Sequence, residues 1–382
     1  MTVSAPSVHP AGPPAAPAAV APRRILFVAP LFEGGTALQR FRTLQRQGHE
    51  VLPIDVLPRP WLGVALTLPY RAFQRLGGPH DLAGANRQLL AVDAGFEPHL
   101  VWVEKGLTVE AATVRALRER WPQAVMLNYS GDDMFNPRNQ SRQWHACLPL
   151  YDVFVTTKHH NLDELREAGA RLVLHVDKAF DPLVHRPVPV TPDLRGRFGG
   201  DVGFVGWPEA ARTASMLHLA RHGVPVRIWG PWPRPLRSHP NLRVEGRPLW
   251  SDDYASALSA FRINLCFLRK ANRDRHTTRS VEIPACGGFM LAERTAEHLA
   301  LFEEDVEAVY FSDDDELLDK VRWYLAHEPE RARIAEAGRR RCWAGGYTYE
   351  RRLEGILARV LDHPGARAAE PVAADRSRMA GA

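Results

Sequence analysis

At 382 residues the chain is about twice the length of a usual domain, so two domains are expected. Its 49 basic and 44 acidic residues leave a net charge of +5 with the two signs interspersed, which argues against a nucleic-acid-binding stripe. No apolar run approaches the ~18 residues that span a bilayer, so no transmembrane segment is predicted. Only five of the basic residues are lysine. The arginine excess suits an anionic substrate such as a nucleotide diphosphate, or an acidic membrane surface, and peripheral membrane contact stays open. Cys147, Cys266, Cys286 and Cys342 form no CxxC pair, which points to a reducing, cytoplasmic setting and no metal site.

Residues 1–22 are Ala/Pro-rich, without a basic start or an unbroken apolar core, and read as a disordered tail, as do residues 363–382. Order begins with the apolar run Arg24–Pro30, the loop Leu31–Thr36 and a helical stretch over Ala37–Gln47. A second strand follows at Val51–Asp55, so these elements make one βαβ unit and imply a parallel sheet. The rhythm continues with strands His99–Glu104, Ala124–Asn128, Val153–Thr156 and Arg171–His175, and helices Val109–Arg120 and Leu162–Ala168. Four prolines between Asp181 and Pro192 can continue neither a helix nor a central strand, so residues 181–200 read as an interdomain linker.

The alternation then restarts. Strands are predicted at Asp201–Gly206, Val226–Trp229, Leu242–Glu245, Ile263–Phe267, Phe289–Ala292 and Glu307–Phe311. Helices are predicted at Ala210–His222, Tyr254–Phe261, Ser280–Cys286, Asp314–Ala326 and Glu330–Ala344, and Asp313-Asp-Asp315 fits a helix cap and first turn. The fold class is α/β: two Rossmann-like parallel-sheet domains facing a cleft, with ligands at the carboxyl ends of the strands. The boundaries are 23–180 for the N-terminal domain and 201–348 for the C-terminal one, with a helix over 349–362 that crosses back.

The run His276-Thr-Thr-Arg-Ser-Val-Glu-Ile-Pro-Ala-Cys-Gly-Gly-Phe-Met-Leu-Ala-Glu-Arg-Thr295, with Gly203-Phe-Val-Gly206 and Gly346-Tyr-Thr-Tyr349, resembles the C-terminal domain of the CgeB-like, spore-maturation-type glycosyltransferases. These are relatives of the group-1 GT-B transferases. The resemblance covers most of residues 200–350. It implies a GT-B enzyme that holds a nucleotide-sugar through its C-terminal domain, with an acceptor (glycan, protein or small molecule) on the N-terminal side and no cofactor beyond the substrate.

The residues themselves fit that chemistry. Arg275, His276, Thr277, Thr278 and Arg279 precede a short helix, whose N-terminal N–H groups suit a diphosphate. For the two threonines, helix capping is an equal reading. Glu282 lies where a carboxylate accepts from ribose hydroxyls, the alternative being a helix-dipole carboxylate. By resemblance it is the second of two glutamates flanking seven residues, and the first position holds Asp274, a shorter acid. Gly287 and Gly288 allow close backbone approach. Gly206 ends the strand that opens the donor domain, and Arg212 is the nearest basic residue to reach phosphates, with a solvated helix arginine as the alternative. The loop Gly246-Arg247-Pro-Leu249 is placed for a nucleobase edge, with Trp229-Gly-Pro231 as another candidate.

On the acceptor side, Gly34, Gly35 and Thr36 resemble the glycine loop that faces the transferred sugar. No GxGxxG occurs, which counts against an NAD enzyme. Glu104, Lys105, Asp132, Asp133 and His159 follow predicted strands. Asp132 and Asp133 suit a base or acceptor-orienting pair, with a metal site as the lesser reading. Arg279 and Arg275 are the candidates to neutralise the departing diphosphate, and the resemblance implies retention without a metal or a protein nucleophile. Two rivals remain: another GT-B enzyme such as a sugar-nucleotide epimerase, and a degenerate nucleotide- or carbohydrate-binding protein.

Overall fold

All the predicted strands form, and their pairing is parallel throughout both sheets. The computed structural model describes residues 21–58, 78–232 and 239–361. The tail readings over 1–22 and 363–382 lie outside these residues, save for Ala21 and Pro22.

The first sheet holds β1 (Arg24–Ala29), β2 (Glu50–Asp55), β3 (Leu100–Glu104), β4 (Val125–Ser130), β5 (Val153–Thr156) and β6 (Val173–His175), in the order β2-β1-β3-β4-β5-β6. Its inner strands β1 and β3 read as nearly unbroken apolar runs because both faces are covered. Leu26, Val28, Val101, Val103 and Met126 join one apolar cluster. On the other face Trp102 stacks between Phe27 and Tyr129, with ring centroids 5.9 and 5.5 Å apart. Pro53 interrupts β2 without harm, since β2 is an edge strand and needs no donor on its outer side.

The second sheet holds β7 (Gly200–Val205), β8 (Val226–Trp229), β9 (Leu242–Val244), β10 (Phe261–Cys266), β11 (Met290–Glu293) and β12 (Val309–Phe311), in the order β12-β11-β10-β7-β8-β9. Side chains alternate across it. Val202, Phe204, Ile263, Leu265 and Leu291 enter one core cluster, while Val205, Cys266, Met290 and Ala292 enter the other. By internal contacts one compact unit gathers Phe32–Thr43 with Asp177–Gly355, and the other is built on Pro22–Leu31 and Leu44–Val176.

Among the described residues four short α-helices have no counterpart in the sequence reading: Ala85–Leu90, Arg142–Cys147, Pro192–Phe198 and Ala296–Leu301. One or two turns are too few for a helical period to show. Side-chain caps fix where they start. Asp81 accepts from the N–H groups of Ala85 and Asn86, and Ser141, Thr191 and Thr295 each cap the helix that follows. The predicted linker over 181–200 is therefore partly helical. Pro192 stands in the first turn, where its missing N–H is no loss. As predicted, Asp313 caps its helix, accepting from the Glu316 N–H at 2.8 Å.

One glycine tests the packing of the second sheet. A Cβ added to Gly203, in β7, would stand 2.2 Å from the buried Phe261 ring. Gly203→Ala is expected to destabilise by ~1–3 kcal/mol through overpacking. The urea midpoint should fall, and adding Phe261→Leu to the same chain should restore part of the loss.

Candidate functional site

In the second sheet β10 lies beside β7, and the strand order reverses between them. In a doubly wound sheet this is where a crevice opens at the carboxyl ends of the strands. A pocket lies there. Its walls come from Val205-Gly206-Trp207 after β7, Trp229-Gly230-Pro231 at the end of β8, Pro248–Ser251 after β9, and Thr278, Arg279 and Glu282 after β10. Val184-His185 of the Pro-rich segment completes the lining, with Gly34, Thr36 and Gln39 of the segment counted in the same unit.

Glycines let these loops meet closely. The Gly206 N–H donates to the Trp229 carbonyl at 2.9 Å, and its own carbonyl accepts from Trp232 Nε1 at 2.8 Å. Gly230 has φ +143°, and a Cβ there would sit 2.1 Å from the Gly206 oxygen. A Cβ on Gly206 would meet Arg279 Nη2 at 2.6 Å. Gly34 has φ +80° and lies so close under Trp250 that a Cβ would fall 2.0 Å from the indole, while Gly35 packs against Phe32.

Two guanidinium groups converge on one ring. Arg279 lies 5.5 Å and Arg212 5.4 Å from the Phe204 centroid, and Arg279 Nε donates to the Val205 carbonyl at 2.7 Å. Arg212 is only 2% exposed, donates to the Trp207 carbonyl at 3.1 Å and pairs with Glu209 at 3.4 Å. Its Nε finds no acceptor among the described residues. Burial, and then the neighbouring Arg279, lower its pKa to about 10.

One turn along the helix that begins at Arg279 stands a carboxylate, while Arg212 does not line the pocket. Glu282, 5% exposed, accepts from the Tyr254 hydroxyl at 2.7 Å, and its other oxygen lies 3.5 Å from His185 Nε2. Burial, reinforced by the Glu282 charge, pushes the Tyr254 hydroxyl well up, so it stays protonated and donates. His185 is buried as well, and burial pulls its pKa down despite Glu282 and Asp181.

The segment before Glu282 is scaffolded from behind. Buried His276 pairs through Nδ1 with Glu297, and its Nε2 accepts from the Lys178 N–H at 3.3 Å. Ser280 accepts from the Thr277 N–H at 3.0 Å, and its hydroxyl meets His298 Nε2 at 2.7 Å. His298 is held in turn by the Glu293 carbonyl, and burial lowers its pKa to about 4. His276 and Thr277 thus sit within the scaffold, and Thr278, which makes no capping bond through its side chain, lines the pocket. Asp274 accepts from the Asn272 amide at 2.7 Å, and Arg275 is exposed. Neither lines the pocket.

Gly246, with φ +74°, and Arg247 lead into the Pro248–Ser251 wall, and Arg247 and Arg227 each lie 4.8 Å from the Trp229 ring. Gly287 and Gly288 do not line the pocket; a Cβ on Gly288 would meet the Leu258 carbonyl and the Asn264 amide at 2.7 Å, so packing accounts for the residue.

The remaining candidates lie in the other unit, at the carboxyl ends of β3, β4 and β5. Glu104 is buried and accepts from Trp102 Nε1 at 3.0 Å. Lys105 pairs with Asp132 at 2.6 Å. Asp133 accepts from the Phe135 N–H and the Asn161 amide, and His159 stacks on His175 at 3.6 Å. Among the described residues no group of three or more His, Cys, Asp or Glu is arranged to hold a metal ion, and no helix is long and apolar enough to cross a membrane.

Sequence reasoning missed Tyr254, His185 and Gln39 at the pocket. Tyr254 reads as a core aromatic of its helix, and His185 hides in the Pro-rich segment. Only the turn pattern Asp181-Pro-Leu-Val-His185 could have flagged it.

Residues 187–358 match the family model described as glycosyl transferase-like. Comparison with curated protein sequences finds no match. Similar solved structures include Anabaena HepE in complex with UDP and glucose, at 12% identity over 89% of this chain and 99% of that one, with a TM-score of 0.61. Sucrose-phosphate synthase from Thermosynechococcus elongatus is similar at 14% identity, the same coverage of both chains and a TM-score of 0.63. An assigned UDP-N-acetylglucosamine 2-epimerase from Listeria monocytogenes is similar at 11% identity over 90% and 98%, with a TM-score of 0.53. The chain therefore has the two-domain GT-B fold, and its residues 187–358 are glycosyl transferase-like in sequence.

Proposed function

We propose that the chain is a glycosyltransferase that takes a hexosyl group from a nucleoside-diphosphate donor held in the β7–β10 pocket. One observation carries this reading. Arg279 and the buried Glu282 both line the pocket from one helix, and Arg212, buried and outside the lining, lies with Arg279 near the Phe204 ring. A diphosphate matches the Arg279 cation, and a ribose hydroxyl matches the carboxylate. The glycosyl transferase-like match over 187–358 covers the same residues, and HepE, of like fold, binds UDP and glucose in its crystal. The run His276–Thr295 favours the CgeB-like subtype.

The chemistry follows from the charges. As the glycosidic bond breaks, negative charge grows on the departing diphosphate, and preorganised donors lower the barrier. Arg279 is fixed by the Val205 carbonyl and so need not reorganise, and the buried Arg212 adds positive charge from behind it. In this reading transfer proceeds with retention, the departing phosphate takes the acceptor proton, and the guanidinium groups do the work of a metal ion. The four free cysteines, all buried, suit a reducing cytoplasm.

A thermal-shift screen with UDP-, GDP-, TDP- and ADP-sugars tests donor binding, because a ligand of the native state raises apparent stability. Stabilisation by none of them overturns the reading. Consumption of a nucleotide-sugar without any acceptor, giving an epimer, would favour the epimerase reading instead.

Two further outcomes are expected. Glu282→Gln should weaken nucleotide binding by roughly tenfold to a hundredfold, the worth of a charged hydrogen bond, as titration calorimetry would show. Transfer activity should survive EDTA. Complete loss that Mg²⁺ or Mn²⁺ restores would return attention to Asp132 and Asp133.

A further inference from the structure

We propose that His185 and Tyr254 are positioning residues that fix the Glu282 carboxylate as a reader of the ribose diol, so that the pocket selects ribonucleoside over 2′-deoxyribonucleoside diphosphates. This rests on the donor-site reading above.

A glutamate side chain turns about three torsions, and a buried carboxylate is costly unless hydrogen bonds hold it. Here each oxygen has its own neighbour. Tyr254 donates to Oε2 at 2.7 Å, and His185 Nε2 stands 3.5 Å from Oε1. The two neighbours also brace each other, the His185 ring meeting Tyr254 edge to face at 5.7 Å and 83°.

The His185 tautomer follows from its other nitrogen. The Asp181 N–H donates to Nδ1 at 3.0 Å, so Nδ1 carries the lone pair and Nε2 carries the proton. The ring cannot swing away, because a tight turn holds it. The Val184 and His185 N–H groups both return to the Asp181 carbonyl, at 3.0 and 2.7 Å, and the Leu183 N–H donates to the Asp181 carboxylate at 3.0 Å. The turn is itself anchored where Phe180 pairs with Tyr347 and Tyr349 through backbone bonds of 3.0 and 2.9 Å.

Burial keeps the His185 ring neutral. It therefore offers Glu282 a dipole and no neutralising charge, and the carboxylate keeps its full charge for a ligand. A carboxylate has about four acceptor positions. With one neighbour at each oxygen, an acceptor position is left on each, and Glu282 lines the pocket. The vicinal hydroxyls of ribose supply two donors at matching separation. A 2′-deoxyribose leaves one oxygen short of a partner.

The test is calorimetry on the full chain with UDP, GDP and ADP, each against its 2′-deoxy form, and with inorganic pyrophosphate as control. The wild type is expected to prefer the tightest-binding ribonucleotide over its deoxy form by roughly tenfold or more. Glu282→Gln should reduce that preference. His185→Leu and Tyr254→Phe should also bring it toward one while pyrophosphate affinity holds, and His185→Gln, whose amide can stand in for Nε2, should retain it. A merely structural role would lower both affinities alike and leave their ratio unchanged. Should His185→Leu fail to fold, Tyr254→Phe carries the same reading at the other oxygen. If both variants keep the wild-type ratio while Glu282→Gln loses it, the positioning role is wrong and the donor site stands. If no nucleotide binds, the donor site falls and this inference with it.

Discussion

Everything at the candidate site depends on the reversal of strand order between β7 and β10. From that pair the chain builds outward in both directions, to β8 and β9 on one side and to β11 and β12 on the other. Right-handed crossovers then carry successive helices to opposite faces of the sheet, and the loops leaving β7 and β10 part from each other. The crevice is a consequence of topology and needs no special residue. What the sequence adds is the identity of the loops that reach it: a glycine after β7, a second at the end of β8, and the Thr278–Glu282 segment after β10.

In that crevice Arg279 and Glu282, one turn apart on the same helix, are each held by other partners. Arg212 and Arg279 both lie near the Phe204 ring, and Glu282 is held by a tyrosine and a neutral histidine. The arrangement is costly, since Arg212 is buried beside Arg279 and its Nε has no acceptor among the described residues. In the proposed reading a bound diphosphate offsets part of that cost, and this is how preorganisation would enter.

How much of this was legible in the sequence follows from where each signal is stored. The strands were legible because burial on both faces makes them unbroken apolar runs, as in Ile25–Ala29 and Leu100–Val103. The short capped helices were not, since a cap is one residue and one turn has no period. Glu282 was legible from its place in a long run of hydroxyl and basic groups. Its partners were not, because Tyr254 and His185 come from other elements and meet it only in three dimensions. Some residues with a chemical look proved to have structural partners. Asp133 is engaged by the Phe135 N–H and Asn161, His276 by Glu297 and the Lys178 backbone, and Gly288 by close packing on Leu258. A sequence shows that a group is polar or small, but not which neighbour uses the property.

The glycines show where the two kinds of use coincide. Gly206, Gly230 and Gly34 all line the pocket, and in each the space for a Cβ is already taken by protein: a guanidinium, a carbonyl and an indole. Their small size therefore serves closeness between loops before it serves any ligand. The closeness still has a functional consequence. The Gly206 carbonyl is held by Trp232 and covered by Gly230, so the loop after β7 is rigid where it meets Arg279. Trp250, lying on Gly34, is fixed in the same way. A pocket whose backbone is locked by glycine contacts need not order itself when a ligand binds, and less of the binding free energy is lost to conformational entropy.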